Sequence, residues 1–255
     1  MIDPLRQVVR TKAIGVVVPV HNEERLLASA LAAIDDSFSR MDSRGIRLLT
    51  AIVLDGCTDD SAAIARRWTT ELARRVGAPR SLVVHGSRAG VGHARSAGCA
   101  ALLRRWRDLD PRGIWLASTD ADSQVPPSWL SAQVEAHERG IDLWAGRVAV
   151  EDWSDHDEAT ASRWSEAYDA ESAPIHGASL GVNAHTYLSV GGFGSLVTGE
   201  DRALYEAVVA VGANVHEDDD VKVITSGRRH ARAPSGFSDA LTNFNDGGRR
   251  RELIA

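Results

Sequence analysis

The chain has 255 residues, of which 44% are hydrophobic and 25% charged, with a net charge of -6 at pH 7, so it can bury a substantial core and fits one large α/β domain, the preferred reading, or two small ones. It lacks the basic stripe that a phosphate backbone demands, Arg228-Arg229 and Arg249-Arg250-Arg251 being local exceptions, and nucleic acid is not an expected partner. No apolar stretch approaches the ~20 residues needed to span a bilayer and Met1-Ile2-Asp3-Pro4 begins no signal peptide, so a soluble, cytoplasmic protein is expected.

In chain order, Ala13 to Pro19 is a continuous β-branched apolar run that predicts a strand buried on both faces of a parallel sheet. Asn22 is expected to cap a helix with Glu23 and Glu24 in its first turn and Leu27, Leu31 and Ile34 as its buried stripe. A second strand, Leu48 to Leu54, leads through Asp55-Gly56-Cys57-Thr58 into a helix presenting Ile64, Trp68 and Leu72. A third, Leu82 to Val84, leads through a glycine loop into a helix carrying Cys99, Leu102 and Trp106, and Ile114 to Ser118 makes a fourth. Four β-α units in succession predict a doubly wound sheet. Cys57 and Cys99 have no metal or redox spacing and read as reduced thiols.

After Gly140 the pattern loosens. Leu143 to Val150 reads as a further strand, and Glu151 to Glu171 as an acidic, partly helical insertion with Trp153, Trp164 and Tyr168. Those aromatics either pack inward, the preferred reading, or form a lid over an acceptor. Asp201 to Val211 predicts a helix with Leu204, Val208 and Val211 inward and Gly212 as its stop, and the chain from Arg228 onward is a polar tail.

Ligands of open parallel sheets bind beyond the carboxyl ends of the strands, and each unusual polar cluster falls at such an end. These are Pro19, His21, Asn22 and Glu23; Asp55; Gly90, Gly92 and Arg95; and Asp120 with Asp122. Carboxylates at i and i+2 can converge on one hard cation, which makes Asp120-Ala121-Asp122 a candidate diphosphate-metal site. His21 could cover a nucleobase. Asp55 either accepts from a base or ribose or bonds its own turn. Arg95 shares a helical stripe with Cys99, Leu102 and Trp106 and either binds base or phosphate or pairs with Asp55 or Asp120. Gly90-Val91-Gly92 follows the third strand, and Arg95 stands where a dinucleotide fingerprint has its last glycine, so a nicotinamide cofactor is not expected. Asp201, opening the late helix after Glu200, sits where the dipole favours an ionised carboxylate able to accept a proton; helix capping explains it equally well.

Taken together, Val18-Pro19-Val20-His21-Asn22-Glu23-Glu24, Val53-Leu54-Asp55-Gly56-Cys57-Thr58-Asp59-Asp60-Ser61, Gly90-Val91-Gly92-His93-Ala94-Arg95-Ser96-Ala97-Gly98, Thr119-Asp120-Ala121-Asp122-Ser123, Val190-Gly191-Gly192-Phe193 and Gly199-Glu200-Asp201 resemble, in order, the family 2 glycosyltransferases of the GT-A fold. The resemblance implies a single-domain, mixed and mainly parallel doubly wound sheet flanked by helices. Residues 1–122 would be its nucleotide-sugar half, 123–227 its acceptor and catalytic half, and 228–255 a C-terminal tail. It implies transfer of one sugar, a hexose, from a UDP- or GDP-linked donor to a small acceptor, with inversion. Asp122 and Asp120 would hold Mg²⁺ or Mn²⁺, with His230 or His216 as a further ligand. Pro19, His21, Glu23, Asp55, Arg95 and Asp120 would line the donor site, and Asp201 with Glu200 would supply the general base. Leu54 and Cys57 depart from the family's usual aspartate and serine, and the Gln-x-x-Arg-Trp motif of processive members is absent. A non-catalytic nucleotide-sugar binder and a retaining GT-A enzyme are the alternatives. The sequence leaves the oligomeric state open, a homodimer included.

Overall fold

The run Ala13–Val20 forms β1, and alternation along it divides the core in two. Ile14, Val16, Val18 and Val20 face one side of the sheet, while Ala13 and Val17 face the other. The computed structural model describes residues 10–41, 45–169, 175–194, 198–228 and 241. On the first face, α1 (Leu27–Arg40) buries Leu27, Leu31 and Ile34, and α2 (Ser61–Val76) buries Ala65 and Leu72. On the second face, α3 (Val91–Arg105) lays Cys99 and Leu102 against Val17 and Leu116, followed by Trp106. It lies close because a Cβ at Gly98 would come within 2.5 Å of the Val17 side chain. The register of α3 against β1 therefore places Arg95, one turn earlier, above the strand ends.

The strands β2 (Arg47–Asp55), β3 (Ser81–Gly86) and β4 (Ile114–Ser118) pair in parallel around β1, giving the order β3-β2-β1-β4. The remaining strands are β5 (Leu143–Val150), β6 (Leu180–Asn183) and β7 (Val215–Thr225), and they extend the sheet to β4-β6-β5-β7. β6 is antiparallel to both β4 and β5, and β7 runs parallel to β5. The mixed, mainly parallel sheet is the one expected. β6 and β7 are additions to the sequence reading, as are α4 (Trp129–Glu138) and α6 (Ala184–Ser189).

In the acidic insertion, α5 (Glu158–Asp169) stacks Trp164 on Tyr168 with ring centroids 4.4 Å apart, both buried. The Tyr168 hydroxyl accepts from the Val148 N–H at 3.0 Å. The aromatics thus pack inward on β5, where buried rings also satisfy their polar ends. The late helix, α7 (Glu200–Ala210), buries Leu204 and Val208 and leaves Val211 exposed beyond its end.

Two local expectations are corrected: Val211, expected inward, is 61% exposed because α7 ends at Ala210, and the first strand-end loop does not cap α1. Asn22 does not cap α1, which begins at Leu27. Its backbone is left-handed (φ 55), and its side-chain oxygen instead accepts from the Thr58 N–H at 2.8 Å. Glu24 likewise accepts from the Asp60 N–H at 3.0 Å. These side chains join the first two strand-end loops rather than satisfying a helix terminus.

Candidate active site

β1 turns to β2 on one side and has β4 on the other, so the connections change direction between β1 and β4. A crevice opens beyond the carboxyl ends of strands at such a switch point. The loops after β1, β2, β3 and β4 all meet there.

On the β2 side, Asp55 organises the loops. Its Oδ1 accepts from the Arg88 N–H at 2.6 Å and its Oδ2 from the Gly90 N–H at 3.1 Å, while its carbonyl accepts from His21 Nδ1 at 2.7 Å. Its carboxylate is thus spent in part on holding the loop before α3, although each oxygen retains a second lone pair. Arg88, like Asn22, is left-handed (φ 60), a conformation costly enough that it persists where surrounding bonds enforce it. The Cys57 thiol donates to the Val20 carbonyl, and burial pushes it above its ordinary pKa. The buried Cys99 thiol is pushed up to about 12 and stays protonated. Pro19 is half-buried on β1 beside Val53.

On the β4 side, the turn 120–123 carries both carboxylates. Asp120 is 34% exposed and Asp122 14%. Burial raises the Asp122 carboxyl above the usual carboxylate range, Arg228 opposes this, and the charge of Asp120 adds to it. Each carboxylate is held by a different arginine. Arg95 donates from Nη2 to Asp120 Oδ1, from Nη1 to Glu200 Oε1, and from Nε to Ser118 Oγ at 3.0 Å. Arg228 spans from Glu23 Oε1, 2.8 Å from Nη1, to Asp122 Oδ2, 2.9 Å from Nη2.

Arg228 was not among the expected site residues. It arrives because β7 ends beside the Asp-x-Asp turn, where Gln124 bridges Ile224 and the Ser123 hydroxyl donates to Thr225 Oγ1 at 2.9 Å. Gly227 then packs so closely on the Asp152 carbonyl that a Cβ would collide with it, and its own carbonyl accepts from His156 Nε2. The arginine is thereby aimed back across the crevice.

The late acidic pair lies on the opposite flank. Glu200, the first residue of α7, is buried against Arg95. Asp201 Oδ2 accepts from the Gly177 N–H at 2.6 Å, and its Oδ1 from the Arg202 N–H at 2.8 Å. His176, just before Gly177, is a further neighbour that the sequence reading passed over. Burial pushes its pKa down to about 4, against the pull of Asp120, so it is neutral at pH 7.

The structure therefore brings His21, Glu23, Asp55, Arg95, Asp120, Asp122, Glu200 and Asp201 to one end of the sheet. Arg95 lies beneath the crevice, its side chain 4% exposed, rather than on its wall. His216 stands at the start of β7 near Asp218, at the end of that strand far from Thr225 and the Asp-x-Asp turn. His230 lies outside the described residues. Among the described residues no three His, Cys, Asp or Glu side chains form a metal-holding cluster. Asp120 and Asp122 nevertheless suit a hard cation, which commonly takes one or two protein carboxylates and completes its shell from phosphate oxygens and water. The half-buried Asp122 carboxylate also favours a positive partner, which Arg228 supplies here.

A mixed sheet of this order, with an acidic turn at the switch point and a second acidic pair at a late helix start, is the architecture of the GT-A glycosyltransferases. Residues 15–188 match glycosyl transferase family 2, and the chain belongs to that family of sugar-transferring enzymes. Among solved structures it is similar to TarS 1-349 of S. aureus in complex with UDP-GlcNAc, with TM-score 0.60, 12% identity, and coverage of 88% of this chain and 61% of that one. It is also similar to the mannosyltransferase PcManGT of Pyrobaculum calidifontis in complex with GDP-Man and Mn²⁺, with TM-score 0.60, 20% identity, and 91% and 68% coverage. A third is glucosyl-3-phosphoglycerate synthase of Mycobacterium tuberculosis in complex with Mn²⁺, UDP and phosphoglyceric acid, with TM-score 0.52, 18% identity, and 94% and 80% coverage. At these identities the likeness is one of fold, and the chain spans about three-fifths of the TarS fragment. No curated protein matches it in sequence.

Proposed function

We propose that this protein transfers a single sugar from a UDP- or GDP-linked donor to a small acceptor, with inversion and with a divalent cation, Mg²⁺ or Mn²⁺, bound by Asp122 and Asp120. The observation that carries the reading is the meeting of Asp120 and Asp122 with the loops of Asp55, His21 and Glu23 at the switch point between β1 and β4. The relatives solved with UDP-GlcNAc, GDP-Man and UDP support the donor class.

In this reading, Asp55 and His21 hold the loops that receive the nucleoside, and Asp122 and Asp120 face its diphosphate. A bound divalent cation would supply positive charge to the departing nucleoside diphosphate, whose negative charge grows as the glycosidic bond breaks. Asp201 takes the proton of the attacking acceptor hydroxyl. Its two oxygens are oriented by the Gly177 and Arg202 amides, and each keeps a lone pair for the acceptor. Glu200 is committed to Arg95 and serves that base by position. No helix among the described residues is long and apolar enough to cross a membrane, and we propose a soluble, cytoplasmic protein.

The test is a thermal-shift screen against UDP-, GDP- and dTDP-sugars with and without Mn²⁺, followed by transfer and donor-hydrolysis assays. Stabilisation by one nucleotide class only with metal is expected. Asp201→Asn should keep donor binding and lose about 10²- to 10⁴-fold in transfer. Donor binding without turnover in the unaltered protein would instead make it a binding protein, and the absence of both would refute the reading.

A further inference from the structure

Arg95 is a single cation shared by two carboxylates on opposite flanks of the crevice. One is Asp120, in the turn after β4; the other is Glu200, the first residue of α7. Glu200 is 2% exposed, and the third nitrogen of the fork is held by the buried Ser118 hydroxyl. Each of the three nitrogens of the fork is therefore engaged within the protein. It lies on Gly177, where any Cβ would collide with the guanidinium. The same glycine gives its N–H to Asp201. One continuous set of contacts thus runs from Asp120 through Arg95 to Glu200 and Gly177, and from Gly177 to Asp201.

A guanidinium between two carboxylates divides its charge between them. While Glu200 holds Nη1, part of the Arg95 charge is compensated there, and Asp120 keeps more of its negative potential for a cation in the crevice. If Glu200 lost its charge or its reach, Arg95 would be compensated by Asp120 alone, and a divalent cation would meet a more fully neutralised carboxylate. Because the fork is pre-organised and desolvated, this exchange is weakly screened by solvent.

We infer that Arg95 is a positioning residue that couples Asp120 to the start of α7, so that Glu200 sets the divalent-cation affinity of the Asp-x-Asp turn without touching the cation. This inference rests on the proposed function for the cation's place at Asp120 and Asp122. It separates Arg95 from the nucleoside-contacting role that its sequence position suggests. It also assigns Glu200 a role distinct from that of Asp201, although the two are adjacent.

The experiment measures Mn²⁺ binding to the nucleotide-free protein by electron paramagnetic resonance, for the unaltered chain and for Glu200→Gln, Glu200→Asp and Asp201→Asn. Circular dichroism melts identify the variants that fold. Glu200→Gln and Glu200→Asp should each weaken Mn²⁺ binding about fivefold or more, within the usual range of coupling between sites. The aspartate variant matters because it keeps the charge while withdrawing it from Arg95. A direct field from Glu200 would leave that variant near the unaltered affinity and would overturn the inference, as would unchanged affinity in both. Asp201→Asn should leave Mn²⁺ binding within about twofold, since its link to Arg95 passes only through the Gly177 backbone; a larger loss there than in the Glu200 variants overturns it too. If the Glu200 variants do not fold, the unaltered protein still decides. The Arg95 Nε–H resonance should shift as Mg²⁺ is titrated, and a stationary resonance at saturating Mg²⁺ overturns the coupling. Absence of any Mn²⁺ or Mg²⁺ binding to the unaltered protein, with or without nucleotide, refutes the proposed cation site itself.

Discussion

Of the two arginines that hold the Asp-x-Asp carboxylates, Arg95 is rooted in α3 with 4% of its side chain exposed, whereas Arg228 reaches over from the segment after β7 with 22% exposed. Arg95 is supported on every side: by Ser118, Glu200 and Asp120 through its nitrogens and by Gly177 against its plane. Arg228 bridges two carboxylates, and its place depends on the contacts of Gly227 with Asp152 and His156. The difference teaches that two charges only two residues apart are managed for different ends. The partner of one is built into the core, and the other is met by a side chain that reaches over from the segment after β7.

The largest effect expected from this contrast is on stability. Arg95→Ala would leave Glu200 buried without its counter-charge, and breaking a buried pair from one side costs about 3–5 kcal/mol. Urea unfolding followed by circular dichroism should show that loss. The paired change Arg95→Leu with Glu200→Leu should recover much of it, because it removes both charges. A loss under ~1 kcal/mol, the usual worth of an exposed pair, would show that the Arg95–Glu200 contact does not act as a buried pair.

Acid gives the next test of the buried flank. His176 has a pKa near 4 in the folded protein against an ordinary value of 6.5, so the unfolded chain takes up its proton first as pH falls. Its contribution to stability is complete above about pH 6.5 and is lost as pH drops through that value toward 4, at up to about 1.4 kcal/mol per pH unit. Thermal melts from pH 7 to 4 should decline less steeply for His176→Gln. Gly177→Ala probes the same flank without altering charge: its Cβ would collide with the Arg95 guanidinium, and overpacking of that kind costs about 1–3 kcal/mol. Melts of Gly177→Ala that match the unaltered protein would show that the guanidinium does not need that space.

The buried flank was largely legible in the sequence, and the reason lies in periodicity. Ala13 to Pro19 and Ile114 to Ser118 are short apolar runs that end at polar clusters, and Arg95 falls on the stripe of Cys99, Leu102 and Trp106, all of which are buried. The second half offered weaker signals. β6 has four residues, too few for alternation to show, and β7 is interrupted by Asp218-Asp219-Asp220 at the edge of the sheet, where charge is tolerated. Asn22 resembled a helix cap because its partner, Thr58, is 36 residues away and invisible to local pattern. Arg228 was visible only as part of a basic doublet. Its role depends on β7 ending beside residues 123–124, a long-range pairing that no spacing announces.

Arg228 supplies the smallest expected stability change and the sharpest contrast with Arg95. Its guanidinium lies within 2.9 Å of Asp122 Oδ2, so a cation approaching that carboxylate competes with a charge already in place. Arg228→Gln removes that competitor. Because Arg228 is 22% exposed, water takes over part of what it gives Glu23 and Asp122, and the unfolding free energy should fall by less than for Arg95→Ala. Mn²⁺ affinity of the nucleotide-free protein should rise several-fold, opposite in direction to the effect of Glu200→Gln, since one variant removes a cation that competes at Asp122 and the other leaves Arg95 compensated by Asp120 alone. Burial raises the Asp122 carboxyl, and losing Arg228 raises it further, so the gain in affinity should be largest at neutral to alkaline pH and shrink as Asp122 is protonated in acid. Equilibrium dialysis at two pH values would measure both. Unchanged or weaker Mn²⁺ binding in Arg228→Gln at neutral pH would mean that Arg228 organises Asp122 for the cation instead of competing with it, and the two arginines would then differ only in depth.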